Sequence, residues 1–390
     1  HTRTSNRQDF NYAPSPKVME EDVERSNPLR KYFSKRGLFI TTSAFFVILI
    51  MLAYTILSPY FMRIDPIPSE GYFVDEIEGE IGQVTCMLWL DSSHFLVCEI
   101  EKNAVILHKI ESYVLTDERI LKDGLNNPHG LYYDGEFLYI SERGKLTKNE
   151  FLGTGPSNWS IGNSTILVDG IPSGNHQTNS INEGPDGMLI WHSGSTCNVC
   201  NEDDDRNAAI IMVDPSNGNH SVIASGVRNS FDGAWVPDIG YVFTDNGRDW
   251  EGDDYPFEEL NLLEVGSDYG WPNDEPETPV PNGTVGPIGT FDPHSSANSI
   301  ALRHSNSTLP GDNHSIFVSV FGSWNSVTPT GGEIIRVDIV EDQNSTQGWR
   351  GENSVIVKDV FGALSISFNP DGELFFSNHI SGKLHVIRYS

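Results

Sequence analysis

In this 390-residue chain the side chains best suited to chemistry are His176, the pair Arg228-Asn229, and the stretch DNGRDWEGDD at 245–254. A neutral imidazole takes up a proton near pH 7, so His176 is a candidate general base toward a hydroxyl group, although a lone His is as a rule a packed, hydrogen-bonding residue. Arg228 beside Asn229 suits capture of an anionic group, and equally suits an ion pair with one of the many acids. The carboxylates and bent carbonyls of 245–254, and the four acids Glu202, Asp203, Asp204 and Asp205, offer oxygens to a hard cation such as Ca²⁺. Neither stretch has EF-hand spacing, so calcium would be held by a scattered set; the run 202–205 also reads as a solvated loop. Cys197-Asn-Val-Cys200 is a single C-x-x-C without partner ligands, which favours a disulfide that pins a loop over a zinc site. Cys86 and Cys98 flank one hairpin and suit a cross-strand disulfide. Nothing matches G-x-S-x-G, a Rossmann fingerprint or a P-loop, which disfavours the common hydrolase, nicotinamide and nucleotide chemistries.

A repeated hairpin must position these residues. Apolar strand, Asp/Gly turn, second apolar strand and small or polar loop recur at 86–99, 128–144, 176–194, 229–247, 298–322 and 362–382. The D-G and P-D-G elements suit positive-φ turns between alternating strands. Six copies, about 40–65 residues apart, predict an all-β fold, a six-bladed β-propeller of four-stranded sheets, over a β-sandwich. Segments before the first strand and after the second then converge on one face. That places His129, His176, Arg228, Asn229 and Asn298 on entry segments, and Arg143, Ser195, the 245–249 loop, Trp324 and His379 after second strands.

The net charge of −29 is unevenly spread: residues 1–36 hold eight basic and five acidic side chains, so the acidic surplus belongs to the rest. Such a surface repels phosphate backbones, which excludes nucleic acid as a partner. Residues 37–57 run for 21 positions without a charge, enough to span a hydrocarbon core of about 30 Å. Arg30, Lys31, Lys35 and Arg36 precede the run, so the positive-inside rule predicts a cytoplasmic N-terminus and an extracellular or lumenal C-terminus. A cleaved signal peptide is the alternative; 36 residues before the run and no clear cleavage site speak against it. The expected organisation is a cytoplasmic disordered tail (1–36), a single-pass type II transmembrane helix (37–57), a stalk (58–80) and the propeller (81–390). All seven N-x-S/T sequons (Asn158, Asn163, Asn219, Asn282, Asn306, Asn313 and Asn344) and all four cysteines follow the apolar run, as a disulfide-bonded glycoprotein domain requires.

The segments GNHQTNSINEGPDGMLIWHSGSTCNVCNEDDD (174–205), SGVRNSFDGAWVP (225–237), TDNGRDWEGDDYPFEELNLLEVGSDYGWP (244–272) and FGSWN (321–325) resemble the soluble quinoprotein sugar dehydrogenases, above all the sorbosone and fungal pyranose dehydrogenase branch. The resemblance covers most of residues 80–388. It implies a propeller that holds pyrroloquinoline quinone (PQQ) and Ca²⁺ on one face. The family's His deprotonates a sugar hydroxyl while hydride passes to the quinone, whose carbonyl the cation polarises. His176 matches the catalytic base, Arg228 and Asn229 match cofactor- or intermediate-contacting positions, and the carbonyls of Gly247 and Arg248 match the calcium pair. Trp324, in the FGSWN motif, joins the expected cofactor contacts. The family supplies basic residues before its last P-D-G turn and after GSWN, where this chain has Phe361-Gly362-Ala363-Leu364 and Ser326; Arg143 or Arg303 is expected to stand in. The implied substrate is a small sugar, with an unidentified electron acceptor. The same scaffold also admits a non-catalytic propeller that binds a glycan or protein partner, or a Ca²⁺-dependent hydrolase.

Overall fold

The structure, a computed structural model, describes residues 43–53, 65–273, 280 and 282–390. Residues 43–53, inside the apolar run, are helical; they belong to a compact unit separate from Leu57–Ser390. No helix among the described residues is long and apolar enough to cross a membrane, and the rest of the run 37–57 and the tail 1–36 lie outside them.

The described residues between 67 and 389 form six sheets, one for each hairpin repeat, antiparallel apart from a short parallel pairing of Ser267–Asp268 with residues 224–225. Blade 3, for example, runs Thr178–Glu183, Leu189–Ser193, Ala209–Val213 and His220–Ser225; blade 4 runs Gly233–Val236, Gly240–Asp245, Glu258–Leu262 and Gly289–Phe291. The six-bladed propeller read from the repeat is therefore present.

Successive side chains of a strand point to opposite faces, so each apolar run feeds two interfaces. In blade 1, Phe95 and Val97 join a cluster with Phe375, Leu384 and Val386 of blade 6, while Leu96 between them packs with Leu138 and Ile140 of blade 2. Six such clusters lie between the six pairs of neighbouring blades. Each fully buried Leu, Ile, Val or Phe contributes about 1.5–3 kcal/mol, so the blades are held to one another rather than to a central core.

The expected stalk of 58–80 needs correction. Tyr72–Glu76 pairs antiparallel with Lys383–Tyr389 and is the fourth strand of blade 6. Ile67–Pro68 adds an edge to blade 5. The reason is burial: Tyr72 is sequestered among Ile356, Val360 and Phe376, and its ring meets Tyr389 edge-on at 4.9 Å. An early strand thus closes the ring, and with it the edge that an open sheet would expose.

Candidate active site

The connections between second and third strands of the blades open on one face, and there the chemistry-bearing residues gather. His176 enters just before the first strand of blade 3. Its backbone N–H donates to Ser195 O at 3.1 Å, and Gly194 N–H donates to Gln177 O at 3.0 Å, so the entry segment is zipped to the loop after Ser193. Gly194 is needed there: a Cβ would lie 2.6 Å from His176 Cβ and 3.2 Å from Asn229 Oδ1. His176 and Asn229 therefore stand on either side of one glycine.

The His176 ring has a defined tautomer. Ser195 Oγ lies 2.8 Å from His176 Nδ1 and donates its only proton to the Cys197 carbonyl at 2.7 Å. The hydroxyl must then accept from Nδ1–H, which leaves Nε2 with a lone pair and no protein partner among the described residues. Burial, aided by the Arg228 charge, lowers the imidazole pKa to about 3, so the ring is neutral at pH 7.

The loop that carries Ser195 is pinned at several points. Cys197 and Cys200 are joined by a disulfide, as are Cys86 and Cys98, which face each other across one hairpin. Glu202 accepts from both the N–H and the hydroxyl of Thr196, at 2.6 and 2.7 Å. Asn198, inside the C-x-x-C, is the hub. Its Oδ1 accepts from Arg228 Nη2 and Asp249 N–H, its carbonyl from Arg228 Nε and Trp271 Nε1, and its amide donates to Asp249 O.

Arg228 is 3% exposed and donates to Asn198, to the Asn246 carbonyl and, at 2.9 Å, to Asp249. Most of its guanidinium is thus committed to tying blade 3 to the 245–254 loop, and its electrostatic reach falls on His176. Asp245 accepts from the N–H groups of Arg228 and Asn229 at 2.9 and 2.6 Å. Glu258 accepts from Gly247 N–H at 2.7 Å and Ser296 N–H at 3.0 Å. Burial raises the Glu258 pKa to about 8, and the Asp245 charge adds to it against those N–H bonds. The acids of these two stretches therefore mostly organise backbone. Asp204 pairs with Arg206 at 2.6 Å, and among the described residues the only trio of clustered ligand types is Cys197, Cys200 and Glu202, whose thiols are already oxidised.

Arg143 is exposed on the same face, its Nε donating to Gln177 Oε1 at 3.2 Å. Gln177 also contacts His129, whose pKa burial lowers to about 4. Arg303 cannot stand in for the family's missing cations: it donates to the carbonyls of Ser307 and Leu309, in a first-to-second-strand turn on the opposite face. Trp324 is 61% exposed rather than enclosed, and meets Trp250 edge-on.

These donors fit the two groups implied by the resemblance. The Gly247 carbonyl accepts no hydrogen bond among the described residues while its N–H is fixed by Glu258, which leaves that oxygen for a hard cation. For a planar polycarboxylate the face offers the Arg143 guanidinium, the His129 ring, the Asn229 amide and Ser326, whose buried Oγ lacks a partner. Only the first is a cation, so such a ligand would be held by neutral donors to an unusual degree.

Comparison with solved structures supports the same fold. The PQQ domain of pyranose dehydrogenase from Coprinopsis cinerea superposes with a TM-score of 0.69 at 17% identity, over 84% of this chain and 98% of that one. The chain has the propeller fold of the quinoprotein sugar dehydrogenases. A calcium structure of a Trichoderma reesei family AA12 enzyme gives 0.69 at 17% identity, over 85% of this chain and 100% of that one. PQQ-bound aldose sugar dehydrogenase from Streptomyces coelicolor gives 0.61 at 15%, over 83% and 100%. An uncharacterized protein of Borreliella burgdorferi is 24% identical over 290 residues, 68% of this chain and 76% of that one. No family model matches the chain.

Sequence reasoning placed His176, Arg143, Arg228, Asn229, Gly247 and Arg248 on the converging segments, and contacts link most of them. Arg248 sits 3.9 Å from Glu251 and over the Tyr255 ring. It gave no role to Asn198 or Glu258, although the CNVC and EEL motifs that contain them were in view.

Proposed function

We propose that this protein is a membrane-anchored sugar dehydrogenase in which His176 removes the proton from a sugar hydroxyl as hydride leaves the same carbon. The observation that carries this reading is the neutral His176 ring, with Nδ1–H engaged by Ser195 and Nε2 open. The proton moves to Nε2, the C–H electron pair departs as hydride, and the C–O single bond becomes a carbonyl. PQQ, when bound, would supply the hydride acceptor, and Ca²⁺ would supply Lewis acidity.

The chain's own residues do the rest. The Gly247 and Arg248 carbonyls would hold the cation, and Arg143, His129 and Asn229 would hold the anionic cofactor. Negative charge near His176 would lift its pKa from about 3 toward the range of an effective base. Asp245 and Glu258 keep the backbone of 228–229 and 247 in register through the N–H bonds already described.

The type II topology rests on the apolar run 37–57 and the charge before it. It is supported by the sequons, all seven of which are exposed. Asn158, Asn219 and Asn344 lie at third-to-fourth-strand turns, and Asn306 and Asn313 at a first-to-second-strand turn, all on the face away from His176. Reconstitution of the purified chain with PQQ and Ca²⁺, followed by dye reduction with aldoses, tests the activity.

A further inference from the structure

Trp250 and Trp324 stand at the rim of the same face, 70% and 61% exposed, with ring centroids 5.4 Å apart and planes at 89°. Trp250 adopts φ +74°, a region a bulky residue rarely enters, so its backbone is strained although the ring buries little. The loops that bear the two rings are clamped together. Asn325 Nδ2 donates to Asp249 Oδ1 at 2.7 Å, and Asp253 accepts the N–H groups of Val327 and Thr328, both at 2.9 Å. The fold thus holds two large apolar surfaces open to solvent at a fixed right angle.

We infer that this corner is a saccharide subsite, which takes a sugar unit beyond the one presented to His176, and that the preferred ligand is a neutral oligosaccharide. A pyranose ring has a flat C–H face for one indole and an edge for the other. Two perpendicular rings cannot both lie on a planar surface such as a membrane. Beside the corner, the half-exposed Glu251 offers acceptors to hydroxyl donors, and its charge opposes an anionic ligand at this point. Asp249, next to Trp250, is bonded to Arg228 and Asn198, so the corner adjoins the loop that carries Ser195. The inference rests on the proposed sugar chemistry, but its test does not need turnover.

The test is binding of glucose, mannose and galactose tetrasaccharides and their monosaccharides to the full chain in detergent, with Ca²⁺ and without added quinone, read by tryptophan fluorescence and calorimetry. At least one tetrasaccharide is expected to bind ten-fold or more tighter than its monosaccharide. Trp250→Ala and Trp324→Ala should each remove that advantage, while Trp235→Ala, at an exposed indole in the first strand of blade 4, should leave it. Both rim residues are exposed, so unchanged melting temperatures should accompany the loss. No tetrasaccharide preference across the panel, or a preference that survives both substitutions, overturns the inference. Tetrasaccharide binding without oxidation in the reconstituted chain would uphold the corner and refute the dehydrogenase; monosaccharide oxidation without tetrasaccharide preference would do the reverse.

Discussion

The Ser195 hydroxyl stands between two partners, accepting from His176 Nδ1 at 2.8 Å and donating to the Cys197 carbonyl at 2.7 Å. One side chain thereby couples the disulfide loop to the protonation state of the base. Ser195→Ala leaves Nδ1–H without its acceptor, and an unmet buried donor costs about 1–3 kcal/mol. Turnover should fall about 10–100-fold, with a shifted acidic limb in the pH–rate profile. Ser195→Thr, which keeps the hydroxyl, should restore both.

Asn198 ties Arg228, Asp249 and Trp271 to the same loop. Asn198→Ala removes hydrogen bonds to a charged group, worth about 1.5–3 kcal/mol, and should lower the melting temperature by about 5 °C. Val199→Ala, at the exposed neighbour, should leave it unchanged.

Acid should destabilise the propeller well above the carboxylate range. Burial lowers His108 and His129 to about 4 and His176 and His192 to about 3. Below pH 6.5 the unfolded chain binds protons that these native rings refuse, so stability falls as pH drops from 6.5 toward 4. Glu258, raised to about 8, and Asp232, also raised by burial, act in the opposite sense, since their native carboxyls keep protons the unfolded chain loses. Four rings outweigh two carboxyls between pH 4.5 and 6.5. The melting temperature should therefore rise with pH across that window, and should flatten or reverse between pH 7 and 8.

The proposed topology predicts glycans on the face opposite His176. When the chain is expressed in a secretory host, glycosidase digestion should shift its mobility. Asn158→Gln, Asn219→Gln and Asn344→Gln should each reduce that shift without loss of activity. A chain with no shift would contradict an extracytoplasmic propeller.

The repeat was legible because each hairpin carries its own turn chemistry and alternation, and six copies admit few closures. The closing strand was not. Tyr72 pairs with Tyr389, far away in sequence, and the five residues Tyr72–Glu76 bear no turn signal of their own. Within the site, His176 could be placed by its position before a first strand. The role of Asn198 could not, because it depends on where Arg228, Asp249 and Trp271 meet in space. Arg303 failed as a substitute cation for a related reason: its repeat was read correctly, but it lies past the far end of an inner strand, Ala297–Leu302, on the wrong face.

The central claim is that His176 is the base of a quinone-dependent sugar oxidation. Its most direct test compares the wild-type chain with His176→Ala, each loaded with PQQ and Ca²⁺, for dye reduction by aldoses and for Ca²⁺ binding. The account predicts oxidation by the wild type that needs both additions. It predicts a loss of at least about 100-fold in the variant, in line with removal of a general base, and unchanged Ca²⁺ affinity. No PQQ binding by the wild type at micromolar concentration, or equal turnover by the two proteins, would contradict it.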